Sequence, residues 1–107
     1  MKTEAYDEFF ATLPKKVQVK IDYVMDILIH YKVVSTKFVK KLENTDYYEL
    51  RICVDNEYRV LLFSIDNDNI IEATRIVLLN GFLKKSTKDY RRQIEIADSI
   101  MSSLLKQ

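Results

Sequence analysis

The sequence contains one cysteine, one histidine, one glycine and one proline in 107 residues. A single cysteine, Cys53, excludes an internal disulfide framework and a cysteine-based zinc site. It falls in an apolar run, where a small buried thiol is the expected role. A single histidine, His30, excludes a two-histidine acid–base nuclease of the pancreatic type. It sits near the end of an expected helix, where the dipole favours an imidazolium and a surface or capping role is expected. The scarcity of Gly and Pro excludes long flexible linkers and puts most of the chain in regular elements. No apolar run approaches the roughly 20 residues that span a bilayer. The opening MKTEAYDEFF carries acidic residues where a secretory leader needs a basic start and an apolar run. The expectation is a cytoplasmic protein with no membrane partner. No phosphate-binding glycine loop, nucleophile triad or carboxylate metal cluster is discernible, so no metal and no cofactor is expected.

What remains is one domain over residues 1–107, large enough for a single modest core. Hydrophobic residues make up 48% and charged residues 31%, ordinary values for a soluble globular chain. The net charge of +1 implies no polyanionic partner by itself. The distribution says more, because Lys84, Lys85, Lys88, Arg91 and Arg92 are opposed by Asp89 alone within their stretch. A local patch of this kind holds phosphates even on a nearly neutral molecule.

Residues 1–13 are ambiguous between strand and helix, with the spacing of Phe9, Phe10 and Leu13 favouring a helix from about Asp7. Pro14 suits the first turn of a new helix. Val17, Ile21, Val24, Met25 and Leu28 then repeat at amphipathic spacing to about Tyr31. Lys15, Lys16, Gln18, Lys20 and Asp22 form its solvated face. Ser35 or Thr36 is read as the cap of a short second helix through Leu42, with Phe38 and Leu42 inward. On its other side Lys37, Lys40 and Lys41 are either solubilising charge or a second polyanion contact.

After a turn at 43–46, Tyr48, Leu50, Ile52 and Val54 alternate with Tyr47, Glu49, Arg51 and Cys53, the period of a half-buried strand. Asp55-Asn56 makes a tight hairpin turn. The run YRVLLFSI is apolar on both faces and reads as a central strand. Residues 66–69 form a second turn, followed by a third strand from Ile70 to Leu79. The three strands form an antiparallel meander. Gly81 follows the third strand, for a positive φ or a close backbone approach. Ile96, Ala97, Ile100, Met101, Leu104 and Leu105 define a C-terminal helix capped near Ser86 or Thr87. Its stripe packs on its own domain or is partly left for a partner.

The order and spacing of FVKKLENTDYYELR, EYRVLLF, LLNGFLKKSTKD and QIEIA, from Lys37 to Ala97, resemble the RelE/HigB-like toxins of bacterial type II toxin–antitoxin systems. The phage-derived HigB-like branch, with K-x-L-x-G-x-L-Y-E-L-R, a Y-R-x-x-Y/F strand and G-F-x-K-K-T-x-K-T-P, is the nearest. This chain departs from the last motif at Lys85 to Tyr90, KSTKDY. It also begins close to its first helix, so the customary first edge strand is short, absent or replaced.

The resemblance implies an α+β fold of RelE type. A helical hairpin packs on a small antiparallel sheet of three to four strands, with a C-terminal helix. It implies metal-independent cleavage of mRNA, usually in the ribosomal A site. It also implies neutralisation by a helix-turn-helix antitoxin, and operator DNA bound only through the toxin–antitoxin complex. The alternatives are a non-catalytic ParE-like inhibitor of gyrase and an inert relative that only binds an antitoxin.

Cleavage of RNA without metal needs a base for the 2′-OH, cations for the transition state and an acid for the leaving oxygen. Arginine suits the second role because it is always charged and presents paired donors to phosphate oxygens. Arg51, Arg59 and Lys84 or Lys85 come from the first strand, the second strand and the exit of the third. A sheet would bring them side by side, with Arg59 the main phosphate clamp and Arg51 its neighbour. Lys84 or Lys85 serves as base only if the cluster lowers its pKa well below ~10.4. Tyr90 holds a position similar to the tyrosine beyond the basic motif of RelE-type toxins, for base stacking or proton transfer. Lys88, Arg91, Arg92, Lys40 and Lys41 are candidate RNA contacts. The competing structural reading pairs Arg51 with Glu49, Glu57 or Glu72, leaves Lys84 and Lys85 as a solvated turn, and uses Tyr47, Tyr48 and Tyr58 for strand packing.

Overall fold

The computed structural model describes residues 1–32 and 35–106. Helix α1 (Glu4–Ala11) opens at Thr3, whose hydroxyl accepts from the Tyr6 amide at 3.1 Å. Glu4 and Asp7 lie in its first turn, where the helix dipole favours acidic groups. The helix thus starts earlier than the Phe9–Phe10–Leu13 spacing indicates. Helix α2 (Lys15–Asp26) follows, with Pro14 just outside it as cap rather than within its first turn. Val17, Ile21, Val24 and Met25 are buried as the periodicity requires. The chain widens into a π turn over Ile27–Tyr31 and stops at Lys32, which has a left-handed φ of 56°. His30 is on the surface beside Asp26, 2.7 Å from its carboxylate.

The sheet has four antiparallel strands in the order β1 (Val39–Lys41), β2 (Tyr48–Val54), β3 (Asn56–Ser64) and β4 (Ile76–Leu83). Three features depart from expectation. The short helix through Leu42 is instead strand β1, which pairs Val39 with Leu50 and Lys41 with Tyr48. Phe38 packs with the core under α1 and α2, whereas Leu42 packs with the core under the C-terminal helix. Two residues on opposite cores do not define one helical face, and the buried β-branched Val39 favours the pleated pairing.

The third strand begins at Ile76, not Ile70. The Asp66 carboxylate accepts from the amides of Thr74 and Arg75 and from the Thr74 hydroxyl. These bonds hold 66–75 as a loop whose Ile70 and Ala73 plug the core. Gly81 lies inside β4 rather than after it, opposite Val60, and its φ is not positive. A Cβ there would land in the ring of Phe9, so the close approach is the reason for glycine.

The N-terminal segment makes a single parallel bridge, Lys2 with Leu78, along the free edge of β4. That is the short form of the customary edge strand. Helix α1 lies over β4 and α2 over β2 on one face of the sheet. Helix α3 (Lys88–Leu105) lies on the other face, packed against Leu61, Val77, Leu79 and Phe82. Its inward stripe is Tyr90, Ile94, Ala97, Ile100, Met101 and Leu104. Of the expected stripe, Ala97, Ile100, Met101 and Leu104 pack inward, whereas Ile96 and Leu105 are exposed, at 36% and 79%. Asn80, buried in β4, donates to the backbone and side chain of Gln93 on α3. No described helix is long and apolar enough to cross a membrane.

Candidate functional site

The register of the β2–β3 hairpin places Arg51 directly opposite Arg59. Like charges facing each other across strands destabilise a sheet, so this pair needs counter-charge. Glu49, two residues along β2 and on the same face, supplies it. Its carboxylate lies 3.5 Å from Arg51 and 3.7 Å from Arg59, and its side chain is 6% exposed. Of the three carboxylate partners anticipated for Arg51, Glu49 is the one the fold provides.

The guanidinium of Arg59 is 2% exposed and ringed by partners. Its Nε donates to the Tyr90 hydroxyl at 2.9 Å, one terminal nitrogen to the Tyr58 carbonyl at 3.0 Å, and the other to Glu57 at 3.1 Å. Burial opposes its charge, but the bonds to Tyr90 and Glu57 and the field of Glu49 outweigh this and lift its pKa above the ordinary value. As an open clamp, the role anticipated for it, Arg59 does not stand ready. Glu57, whose side chain is 54% exposed, takes up one terminal nitrogen of Arg59. Its carboxyl is held below its usual range chiefly by the hydrogen bond and charge of Arg59, with help from Lys84 and Arg51. Glu57 is therefore ionised and displaceable.

Tyr90 reaches this cluster from the first turn of α3, with its ring edge-on to Phe82 at 5.4 Å. The Lys84 ammonium lies 5.8 Å from the ring centroid. Burial raises the Tyr90 pKa and the neighbouring Glu49 adds to it, while Arg59 acts in the opposite sense. The phenol therefore keeps its proton throughout the neutral range. The placement of α3 depends on Asp89, whose carboxylate accepts from the amides of Lys85 and Ser86 at 2.9 Å each. These two bonds hold the Asp89 carboxyl below its ordinary pKa. The anticipated side-chain cap from Thr87 is not made, and the Ser86 hydroxyl accepts only from Lys88. Beyond Leu83 the β3–β4 pairing continues through the Lys84 amide to the Glu57 carbonyl at 2.8 Å. That bond ties the basic loop to the hairpin.

The remaining candidates divide. Lys85, Lys88, Arg91 and Arg92 are exposed, with Arg91 near Glu95 on its own helix. Lys40 is paired with Glu49 in the β1–β2 register and so shares the arginine face, whereas Lys41 lies alongside Tyr48 on the other. Tyr47 and Tyr58 are buried packing residues, as anticipated. Cys53 is exposed, contrary to the expected buried thiol. Its side chain faces away from the α1–α2 core, on a part of β2 that α3 leaves open.

Sequence reasoning offered Glu49 and Glu57 only as pairing partners of Arg51, took Lys20 as solvated face and Phe38 as packing, and left Lys37 between solubilising charge and a second polyanion contact. These last three line a cavity of about 440 Å³ together with Arg51, Cys53 and Arg59. Alternation along β2 placed Glu49 on the Arg51 face, but only the strand register could place Arg59 next to it.

Comparison with known families identifies a match over residues 8–102 to the family described as "Phage derived protein Gp49-like (DUF891)". No curated protein and no solved structure matches the chain.

Proposed function

Because the chain belongs to the phage-derived Gp49-like family, in general a RelE/HigB-like toxin family, we propose that it is an mRNA-cleaving toxin of a type II toxin–antitoxin pair. The observation that carries the nuclease reading is the convergence of Arg51, Arg59, Glu49 and Tyr90 on one face of the sheet. Two arginines opposed across strands is an arrangement a purely structural sheet would avoid. It suits a dianionic phosphorane-like transition state.

In this reading an RNA phosphate displaces Glu57 from Arg59. The 2′-oxygen attacks the adjacent phosphorus, its proton passes to the freed Glu57 carboxylate, and a 2′,3′-cyclic phosphate forms. The bond to the 5′-oxygen breaks, and Tyr90, protonated at neutral pH, donates to that leaving oxygen. Lys84 adds positive charge beside the phosphate, and Lys85, Lys88, Arg91, Arg92 and Lys40 contact the strand further out. Arg59 and Arg51 supply the electrostatic stabilisation. Glu49 holds both in place. The net charge of only +1 gives weak attraction for free RNA and fits a nuclease that meets its substrate in the ribosomal A site, and so in the cytoplasm. The partner is a helix-turn-helix antitoxin, with operator DNA bound only by the pair.

Primer extension on a reporter mRNA after brief induction, with translation allowed or blocked, tests this reading. The expected result is translation-dependent cuts within codons that disappear in Arg59→Lys, a substitution that keeps the buried charge. Intact mRNA with growth arrest and loss of supercoiling would replace it by gyrase inhibition. Intact mRNA without arrest would leave antitoxin binding alone.

A further inference from the structure

Strand β1 pairs only with Tyr48–Leu50. One further bond, from the Arg51 amide to the Phe38 carbonyl at 2.6 Å, closes the ladder there. Among the described residues none pairs with this edge of β2 from Cys53 onward, and the 440 Å³ cavity is lined there by Cys53, within the size range of small-ligand sites. Its floor is the Phe38 ring, half-buried and backed by the core. The ammonium groups of Lys20 and Lys37 lie 5.1 and 5.8 Å from the ring centroid. Arg51 and Arg59 close the inner wall, and the one acid among the lining residues, Glu57, is engaged by Arg59.

An aromatic face with cations on its rim is the arrangement that stacks a base and pairs its phosphate. Ammonium–ring contacts at an exposed site are weak, so both lysines are free to leave the ring for a phosphate when a base takes their place. We infer that this cavity is a nucleotide subsite. It takes the nucleotide next to the cleaved phosphate, with the base stacked on Phe38 and the flanking phosphate between Lys20 and Lys37. The inference rests on the nuclease reading for its place on the strand, but not for its chemistry. Adjacent strands are roughly 4.8 Å apart, so Phe38 stands about two strand spacings from Arg59, the reach of a neighbouring residue of an extended RNA strand. Lys20, on α2, and Lys37 and Phe38, just before β1, bind the nucleotide in this scheme and take no part in the cleavage step.

Cys53 is the chain's only cysteine, is exposed and lines the cavity, so its rate of maleimide labelling reports occupancy. The probe is a 2′-O-methyl trinucleotide, which cannot be cleaved, compared with inorganic phosphate at matched phosphate concentration. The trinucleotide is expected to slow labelling of the wild-type protein severalfold. Phe38→Leu is expected to raise the concentration required by roughly tenfold or more. Lys20→Met with Lys37→Met, at partly exposed positions that leave the core intact, should raise it comparably and flatten its salt dependence. Equal protection by inorganic phosphate, or no protection, or protection unchanged in both variants, would overturn the subsite. The two readings fail separately. Protection without any mRNA cutting keeps the subsite and removes the nuclease, whereas codon-phased cutting without protection does the reverse.

Discussion

Replacing Tyr90 by Phe removes one oxygen from the centre of the site and leaves the ring contact with Phe82 in place. That oxygen is the partner of the Arg59 Nε at 2.9 Å, and Arg59 is 2% exposed. A hydrogen bond to a charged group contributes about 1.5–3 kcal/mol, and a buried donor left unpaired lies at the upper end of that range. Glu57 and the Tyr58 carbonyl still hold the other two nitrogens, so the expected loss of stability is ~2 kcal/mol. Urea unfolding followed by circular dichroism measures it, as a lower midpoint with an unchanged slope.

The catalytic consequence is separate. Positioned acid catalysis contributes about 10²–10⁴-fold, so cleavage by the folded variant should fall by that factor when assayed on programmed ribosomes. Because burial raises the Tyr90 pKa above its ordinary ~10, the acid form is complete at every pH below that value. The wild-type rate should therefore show no alkaline fall from this group until pH exceeds ~10. A Tyr90→Phe variant that loses stability as expected yet cuts mRNA at the wild-type rate would refute the acid role and leave Tyr90 as a brace for Arg59.

Glu57→Gln should bind RNA more tightly, since the carboxylate competing for Arg59 is gone, but cleave it more slowly; filter binding with an uncleavable strand, set beside the cleavage rate, separates the two effects. Asp66 has its pKa lowered to about 2 by bonds from Thr74 and Arg75. A depressed carboxylate contributes stability that is complete above the unfolded value, ~3.9, and lost as pH falls through the folded one. Thermal melts of the wild type should therefore drop more steeply between pH 4 and pH 2 (roughly those two pKa values) than melts of Asp66→Asn. Gly81→Ala should destabilise the fold by about 1–3 kcal/mol through overpacking against Phe9, with much of the loss recovered in a Phe9→Leu background. Equal unfolding midpoints for the single and double variants would contradict the steric account.

Much of the fold follows from local pattern. The α2 periodicity from Val17 to Leu28, the alternation through Leu50 and Ile52, and the doubly apolar central strand all appear where the side chains alone require them. Where the sequence misled, a long-range partner had the deciding role. Val39 pairs with Leu50, and that pairing turns an apparent short helix into β1. Asp66 binds backbone eight and nine residues away, which keeps Ile70 out of a strand that its apolar run resembles. At the start of α3, Tyr90 bonds Arg59 and Gln93 bonds Asn80, inward contacts that the apolar stripe of the helix does not show.

The same division holds for the candidate site. Residue type and order indicated that an antiparallel meander would gather Arg51, Arg59 and the basic loop, while Tyr90 was singled out by the family resemblance. Only the tertiary structure decided that Arg51 faces Arg59, that Glu49 is within reach of both, that Glu57 pairs with Arg59, and that Phe38 lines a cavity. Those facts depend on strand register and on which elements cover which face. Both are set by contacts between residues far apart in the chain, and no periodicity within one segment encodes them.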